Sequence, residues 1–299
     1  MRVFVTGATG FIGQAVVKEL LSHGHQVLGL SRSDAGAKSL TDLGADVQRG
    51  SLEDLDSLKQ GAAAADGVIH LAFIHDFSDY AGSCRRDREA IEAMGTVLQG
   101  TGKPLVMTSG TLMLARGRLG KEDDPADLST PSTAARGASE VTALALADKG
   151  VRVSVMRLPP TNHGDGDHGF VAMVVAAARE KGVSAYVGDG ANRWPATHRL
   201  DTARAFRLAL EKGAAGSVFH AVAEEGVPLK DVAEAVGKGL GLPVASIPAA
   251  EAQGHFGFLA FAVGEDNPTS SAKTREVLGW APQELGLIAD IEKGTYFKQ

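Results

Sequence analysis

Residues 1–13 read MRVFVTGATGFIG, and this stretch decides the fold. The apolar run at Arg2–Val5 is typical of a short buried strand, and a helical pattern follows the glycines. Gly7 permits a sharp turn, Gly10 leaves room for a ligand at the backbone, and Gly13 lets the helix pack close to the strand. Because the free N–H groups of a helix N-terminus attract phosphate, the arrangement predicts a dinucleotide site rather than a merely structural turn.

The cofactor is expected to contact this turn and the carboxyl ends of the following strands. The predicted contacts are Gly7, Thr9, Gly10, Phe11, Ile12, Ser31, Arg32, Ser33, Ser51, Leu71, Ala72, Phe73 and Pro159. At Ser51 and Leu71 the alternative is ordinary loop structure or core packing. At Phe73 core packing is an equally good interpretation.

The end of the second predicted strand indicates which dinucleotide is bound. A site that selects NAD usually carries an acidic residue there to hold the ribose hydroxyls. This chain has Arg32 between Ser31 and Ser33, and Asp34 comes later. A cation with hydroxyl donors suits the 2′-phosphate of NADP, although an arginine can also stack on adenine or lie exposed in a loop. We therefore predict NADP in preference to NAD.

Composition excludes several classes of protein. The chain has 299 residues, is 44% hydrophobic and 22% charged, and carries a formal charge of −6, which argues against a broad nucleic-acid surface. Cys84 is its single cysteine, so no intrachain disulfide can form and a cytoplasmic location is expected. The longest apolar run, Phe170–Ala178, is too short to cross a bilayer, and no cationic leader precedes the first strand.

Strands and helices alternate through the first half of the chain. A fourth strand is predicted at Gly67–Ala72 and a sixth at Val151–Leu158, with amphipathic helices between. The alternation predicts an α/β fold, a doubly wound parallel Rossmann sheet with a small C-terminal substrate-binding lobe. A polar, glycine-rich loop follows at 159–169. We therefore assign 1–158 to an NADP-binding Rossmann domain, and 159–299 to a smaller substrate-binding lobe that is partly interwoven with it.

Several motifs resemble, in the same order, those of the extended short-chain dehydrogenase/reductase family, in its epimerase/dehydratase branch. They are Thr6–Gly13, Val68–Ala72, Arg157–Pro160 with His163 and Gly164 just beyond, His198–Ala203 and Leu278–Trp280. The motifs extend through almost the whole chain. The resemblance implies a Rossmann domain with a small C-terminal substrate lobe.

The catalytic positions depart from the pattern of that family. The family uses Tyr-x-x-x-Lys with an upstream serine; the tyrosine moves the substrate proton, and the lysine lowers the tyrosine pKa. When residues 134–140 are aligned on their Gly and Ser, Arg136 stands at the tyrosine position and Glu140 at the lysine position. Glu140 lacks the positive charge of lysine, and the pKa of an arginine is too high for a proton donor. The resemblance therefore implies an atypical active site.

Three residues are the catalytic candidates: Ser109, Arg136 and His163. Ser109 matches the upstream serine of the family, and a polar turn is the alternative interpretation. Together with Arg136 it could stabilise a developing alkoxide. His163, in the polar loop, could serve as general acid, with His168 and His198 as alternatives.

Weaker interpretations attach to other polar or aromatic positions. Thr111 offers a second hydroxyl near the catalytic serine position. Asp87 falls near the asparagine of the family pattern, but a solvated helix charge is the favoured interpretation there. Trp194 forms either a wall of the substrate lobe or part of its core. His163 and His168 hint at a metal, but too few ligands accompany them, and no metal site is predicted.

The leading functional hypothesis is an NADP-dependent oxidoreductase. It would transfer a hydride to or from a small carbonyl or alcohol without a Tyr-x-x-x-Lys pair. The alternatives are a sugar-nucleotide epimerase or dehydratase and a non-catalytic NADP-sensing regulatory protein. We expect a small-molecule substrate, neither nucleic acid nor membrane as a partner, and a homodimer, because Ser132–Ala147 is rich in small residues that permit close helix packing.

Overall fold

A parallel sheet forms the centre of the protein, whose structure is a computed structural model that describes residues 1–298. The strands are β1 (Arg2–Thr6), β2 (Gln26–Ser31), β3 (Asp46–Arg49), β4 (Gly67–His70), β5 (Pro104–Gly110), β6 (Arg152–Leu158), β7 (Thr161–His163), β8 (Ser184–Val187), β9 (Arg193–His198), β10 (Ser217–His220), β11 (Glu224–Pro228) and β12 (Val244–Ile247).

The α-helices connect these strands and cover both faces of the central sheet. They are α1 (Phe11–Ser22), α2 (Asp34–Asp42), α3 (Leu55–Ala63), α4 (Tyr80–Leu98), α5 (Pro131–Leu144), α6 (Phe170–Lys181), α7 (Arg199–Lys212), α8 (Leu229–Leu240), α9 (Ala252–Phe256), α10 (Ala272–Leu278) and α11 (Leu287–Lys293). Among the described residues, none of these helices combines the length and the apolar character that a membrane crossing requires.

The central sheet has seven strands in the order β10-β6-β5-β4-β1-β2-β3. Each neighbouring pair is parallel, and the strand order reverses between β1 and β4. Ligands of doubly wound sheets bind at such a reversal, beyond the carboxyl ends of the strands. The predicted doubly wound Rossmann fold is therefore confirmed, and its switch point lies at the glycine turn.

Alternation along β1 divides the core into two layers. Val3 and Val5 pack into the layer that contains α1 and α7, whereas Phe4 packs into the layer that contains α3 and α4. Gly61 on α3 makes room for this ring, because a Cβ there would lie 2.4 Å from Phe4 Cζ. The close contact fixes α3 against the sheet.

The smaller lobe is built on a three-stranded sheet, β11-β9-β7, and a two-stranded sheet, β12-β8. Helices α6, α8 and α11 share its apolar core with Trp194. The chain returns to the central layer before it ends, since α7 packs on α1 and β10 forms the seventh strand beside β6. A division at residue 158 therefore leaves two elements of the central layer in the second half of the chain.

Candidate functional site

The glycine turn between β1 and α1 has the local geometry of a phosphate cradle. Gly7 adopts a φ of +66°, and a Cβ there would lie 2.8 Å from the Ala72 nitrogen. A Cβ at Gly13 would lie 2.0 Å from the Gly7 carbonyl oxygen, so the predicted close packing of α1 is confirmed. Gly10 caps α1 without a side chain and leaves the N–H groups of its first turn facing outward. The turn thus fits a diphosphate group.

The first residues of α1 also connect the two lobes. The Arg199 guanidinium lies 5.1 Å from the centre of the Phe11 ring, and the His168 ring meets Phe11 edge-on at 5.8 Å. Ile12 is half-buried and packs against the core, so its backbone rather than its side chain is available to a phosphate. Thr9 is exposed at the turn.

A basic pocket lies where the adenosine end of a dinucleotide is expected. Arg32, Arg49, Gly50, Ser51 and Asp54 line an open cavity of about 390 Å³. Arg49 was missed by sequence reasoning, because β3 reads as a short polar strand. Its position opposite Ser31 in the β2–β3 register was the available signal, since parallel neighbours end at one edge.

The two serines beside Arg32 are partly engaged within the protein. Ser31 is 3% exposed and donates its hydroxyl to the Ser33 carbonyl oxygen at 3.0 Å, which corrects the expectation that it is free for a 2′-phosphate. Ser33 accepts a hydrogen bond from the Gly36 N–H as the N-cap of α2, and its side chain is exposed. Arg49 donates to the Ser33 carbonyl oxygen at 2.6 Å and pairs with the Asp34 carboxylate at 2.9 Å. Arg32 makes no ion pair with another described residue, so it is the cation of this pocket that is open to a phosphate.

Residues after β4 and β6 complete the edge of the cradle. The fourth strand ends at His70 and not at Ala72 as predicted, because the Ala72 N–H turns to the Thr6 hydroxyl at 3.2 Å. Leu71 is half-buried and packs against the core beside the glycine turn. Pro159 is buried just after β6.

Arg136 occupies a fixed position in the centre of the candidate active site. Its two terminal nitrogens donate to the Asp87 carboxylate at 2.5 Å and to the Thr108 carbonyl oxygen at 2.6 Å. Its guanidinium carbon lies 4.7 Å from the centre of the Phe73 ring. Ser109, next along β5, is 5% exposed, and its hydroxyl has no hydrogen-bond partner among the described residues.

A buried polar chain holds Asp87 in place. The Ala72 N–H donates to the Thr6 hydroxyl, which bonds His70 Nδ1 at 2.7 Å, and His70 Nε2 lies 3.2 Å from Asp87 Oδ1. Burial alone would raise the pKa of Asp87, but the Arg136 charge and the His70 hydrogen bond lower it to about 2. Asp87 is only 1% exposed, so the favoured expectation of a solvated helix charge was wrong.

Glu140, at the lysine position of the family pattern, turns away into the core. It forms a buried ion pair with Arg157, with Arg157 Nε 3.1 Å from Glu140 Oε2. Arg157 also lies 3.3 Å from His220 Nε2, and His220 Nδ1 bonds the Ser270 carbonyl oxygen at 2.7 Å. The position expected for the tyrosine thus carries a fixed cation, and the position expected for the lysine carries a structural anion.

Two of the predicted catalytic side chains come together, and the third does not join them. Ser109 and Arg136 share the end of β5, since Arg136 bonds the carbonyl of the residue before Ser109. His163 is fully buried and bonds Asp290 at 2.9 Å, which corrects the expectation of an accessible general acid there. His168 is exposed beside the glycine turn, whereas His198 is half-buried and caps α7.

Two further expectations are settled by packing. Thr111 is buried and donates to the Asn267 side chain at 2.8 Å, so its hydroxyl is engaged within the protein. Trp194 is 1% exposed and donates to the Ala262 carbonyl oxygen, which places it in the lobe core and not in a substrate wall. Among residues 1–298, no three His, Cys, Asp or Glu side chains are grouped to hold a metal ion.

A sequence profile described as "NAD dependent epimerase/dehydratase family" matches residues 3–222. The chain belongs to this family. Its members are oxidoreductases and epimerases that use NAD or NADP, which makes the chain an enzyme of this broad class. Membership does not distinguish the two dinucleotides.

Individual relatives agree with this membership. The chain is 52% identical over 298 residues to an uncharacterised protein of Schizosaccharomyces pombe, covering 99% of this chain and 100% of that protein. It is 28% identical to the 2-alkyl-3-oxoalkanoate reductase of Stenotrophomonas maltophilia, over 81% of this chain and 77% of the reductase. The crystal structure of dTDP-glucose 4,6-dehydratase from Streptomyces venezuelae, with NAD bound, has a TM-score of 0.79 at 20% identity, covering 99% of this chain and 96% of that chain. That likeness shows the shared fold.

Proposed function

We propose that the protein is an NADP-dependent oxidoreductase that transfers a hydride to or from a small carbonyl or alcohol. The observation that carries the proposal is the Ser109 hydroxyl, which is buried and has no hydrogen-bond partner among the described residues. Ser109 follows Thr108 on β5, and the Thr108 carbonyl oxygen accepts a hydrogen bond from Arg136. A buried donor without a partner is costly unless a ligand satisfies it. A substrate oxygen supplies that partner.

The chain offers matching groups for each part of the cofactor. The first turn of α1 holds the diphosphate, and Arg32 and Arg49 hold the 2′-phosphate. Leu71, Ala72 and Phe73 border the path between the glycine turn and Ser109. When bound, the nicotinamide supplies or accepts the hydride.

Ser109 and Arg136 act on the substrate oxygen. The Ser109 hydroxyl donates a hydrogen bond to the oxygen, and the Arg136 charge stabilises the alkoxide as it develops. Arg136 keeps its proton throughout because its pKa is too high for proton donation. The proton that neutralises the alkoxide therefore comes from solvent and not from Arg136.

The test follows NADPH absorbance while the purified protein is mixed with a panel of aldehydes and ketones. Ser109→Ala is expected to lower kcat by about 100-fold, the cost of removing one oxyanion donor, while the Kd for NADPH stays unchanged. Ser184→Ala is the matched control, since it removes a buried hydroxyl from the smaller lobe. A wild-type rate in Ser109→Ala would contradict the assignment.

The same assay separates the two alternative functions. Conversion of a sugar nucleotide without net NADPH oxidation would favour an epimerase or dehydratase. Tight NADPH binding with no turnover across the whole panel would favour a cofactor-sensing protein. A Ser109 hydroxyl that bonds a substrate oxygen also fits the epimerase or dehydratase alternative, so net NADPH oxidation is the result that decides between them.

A further inference from the structure

An exposed group of aromatic rings begins at Arg136 and crosses to the smaller lobe. We call it the aromatic cluster and define it as Phe73, Phe77, Tyr80, Phe258 and Phe261. It contains four of the 11 phenylalanines of a chain that is only 5% aromatic. The grouping of so many rings at one place therefore indicates a functional surface.

The rings of the aromatic cluster form a continuous series. The Phe73 ring lies against the Arg136 guanidinium, and its centre is 6.2 Å from that of the Tyr80 ring. The Phe77 ring is stacked on Tyr80 at 6.1 Å. Phe77 in turn lies 4.4 Å from Phe258, which is 5.1 Å from Phe261. The first three rings belong to the segment after β4, and the last two to a 3-10 helix of the smaller lobe. The cluster thus extends from Arg136 to the smaller lobe.

The outer rings remain open to solvent. Phe77 is 46% exposed, Phe258 40% and Phe261 54%. Large exposed apolar patches on a protein mark places where a ligand or partner is bound. This patch is continuous with Arg136 through the Phe73 ring. We therefore assign it to the ligand of the active site and not to a protein partner.

We propose that the aromatic cluster binds the apolar body of the substrate, so that an alkyl or aryl ketone places its oxygen at Ser109 and Arg136 and its tail along the rings. This inference rests on the proposed function. It assigns a hydrophobic carbonyl compound as the substrate class, in place of a sugar nucleotide, whose charged diphosphate gains little from exposed phenyl rings.

The test uses methyl ketones of increasing chain length, from propanone to 2-nonanone. For the wild type, kcat/KM is expected to rise by about twofold with each added methylene, because one side of the tail stays in solvent. Phe77→Ala and Phe258→Ala are expected to lower kcat/KM for 2-nonanone by about tenfold and to leave propanone unaffected. Val277→Ala is the control, since Val277 is 47% exposed on α10. The inference would be overturned if kcat/KM of the wild type did not depend on tail length, or if Phe77→Ala and Phe258→Ala kept the tail dependence of the wild type.

A second measurement separates this inference from the proposed reaction. Calorimetry with 2-nonanone and propanone, in the presence of oxidised NADP, reports binding without turnover. Tail-dependent binding that is lost in Phe258→Ala would support the cluster even if NADPH were never oxidised. Absence of ketone binding would overturn the inference. It would also be overturned if ketone binding did not depend on tail length and Phe258→Ala dissociated a dimer, because the rings would then contact a second copy of the chain.

Discussion

At the scale of single residues, Arg136 shows how a departure from a family pattern becomes part of the site. A guanidinium carries donors in a rigid planar fork, so it can bond Asp87 and the Thr108 carbonyl at once. The Phe73 ring covers one further side of it. Such a group is fixed before substrate arrives, and electrostatic stabilisation depends on that preorganisation.

Replacing Arg136 by lysine tests the need for the fork. An ammonium keeps the charge but cannot hold both partners in one geometry, so Arg136→Lys is expected to lower kcat by roughly 10-fold to 100-fold. The Kd for NADPH should stay unchanged. Arg118→Lys, at an exposed ion pair with Asp124, is the control. Equal kcat values for Arg136→Lys and the wild type would mean that charge alone suffices.

Removal of Glu140 should destabilise the protein strongly. Glu140→Ala leaves the Arg157 guanidinium buried and without its carboxylate, which is expected to cost about 3–5 kcal/mol of unfolding free energy. Glu89→Ala, at an exposed ion pair on α4, should cost less than about 0.5 kcal/mol. Urea unfolding of both variants provides the measurement. A loss below about 1 kcal/mol in Glu140→Ala would show that water reaches Arg157.

At the scale of elements, the proposed 2′-phosphate pocket depends on two neighbouring strands. Arg32 follows β2 and Arg49 ends β3, so their cations meet at one edge of the sheet. Arg32→Ala and Arg49→Ala are each expected to weaken NADP binding by about tenfold and to leave NAD binding unchanged. Lys38→Ala, an exposed cation on α2, controls for net charge. An unchanged NADP-to-NAD affinity ratio in both arginine variants would refute the assignment.

Strand β10 carries a titrating group that links stability to pH. Burial lowers the pKa of His220 to about 4, although its bond to the Ser270 carbonyl opposes the shift. The unfolded chain takes up a proton near pH 6.5, the folded chain only near pH 4, so stability falls as pH drops through this window. Between pH 7 and pH 5 the wild type should lose about 2 kcal/mol from this residue.

The variant His220→Gln should remove that part of the pH dependence. The free energy of unfolding is measured in urea at pH 7 and at pH 5. The loss between the two pH values should be about 2 kcal/mol smaller in His220→Gln than in the wild type. His23→Gln, on the exposed end of α1, should retain the full dependence. Identical slopes for wild type and His220→Gln would place the titration elsewhere.

The sequence alone predicts the features that depend on short-range patterns. The glycine turn follows from local spacing and agrees with the structure, whereas Ser109, expected just after the fifth strand, lies within β5. Partners distant in sequence decided the rest. His163 is buried because it meets Asp290, 127 residues away, and Asp87 is buried because it meets His70 and Arg136. The sequence near those residues contains no pattern that predicts such contacts.

At the scale of the whole molecule, helices α4 and α5 present a shallow groove of about 680 Å³ to solvent. Small residues such as Ala134 and Ala138 form its floor, and Leu128 and Val141 lie exposed at 52% and 56%. We propose that this surface is the interface of the expected homodimer, because small residues let helices approach closely and exposed apolar side chains gain by burial.

A charge in that groove should prevent the dimer. Val141→Asp is expected to raise the dimer dissociation constant by roughly tenfold or more, since a carboxylate would have to lose its hydration where an apolar side chain is buried. Val277→Asp, on α10, is the control. Sedimentation velocity across a concentration series gives the constant. A monomeric wild type, or a dimer that Val141→Asp leaves intact, would contradict this arrangement.

The buried pair of Glu140 and Arg157 also constrains which substitutions can follow one another. Restoring the family's lysine by Glu140→Lys would set two cations against each other in the interior. Arg157 would have to be replaced first, yet that replacement alone leaves the Glu140 carboxylate buried without a cation. Each single change therefore costs much stability, so the two positions can be replaced only together. The buried pair thus makes the residue at 140 depend on the residue at 157.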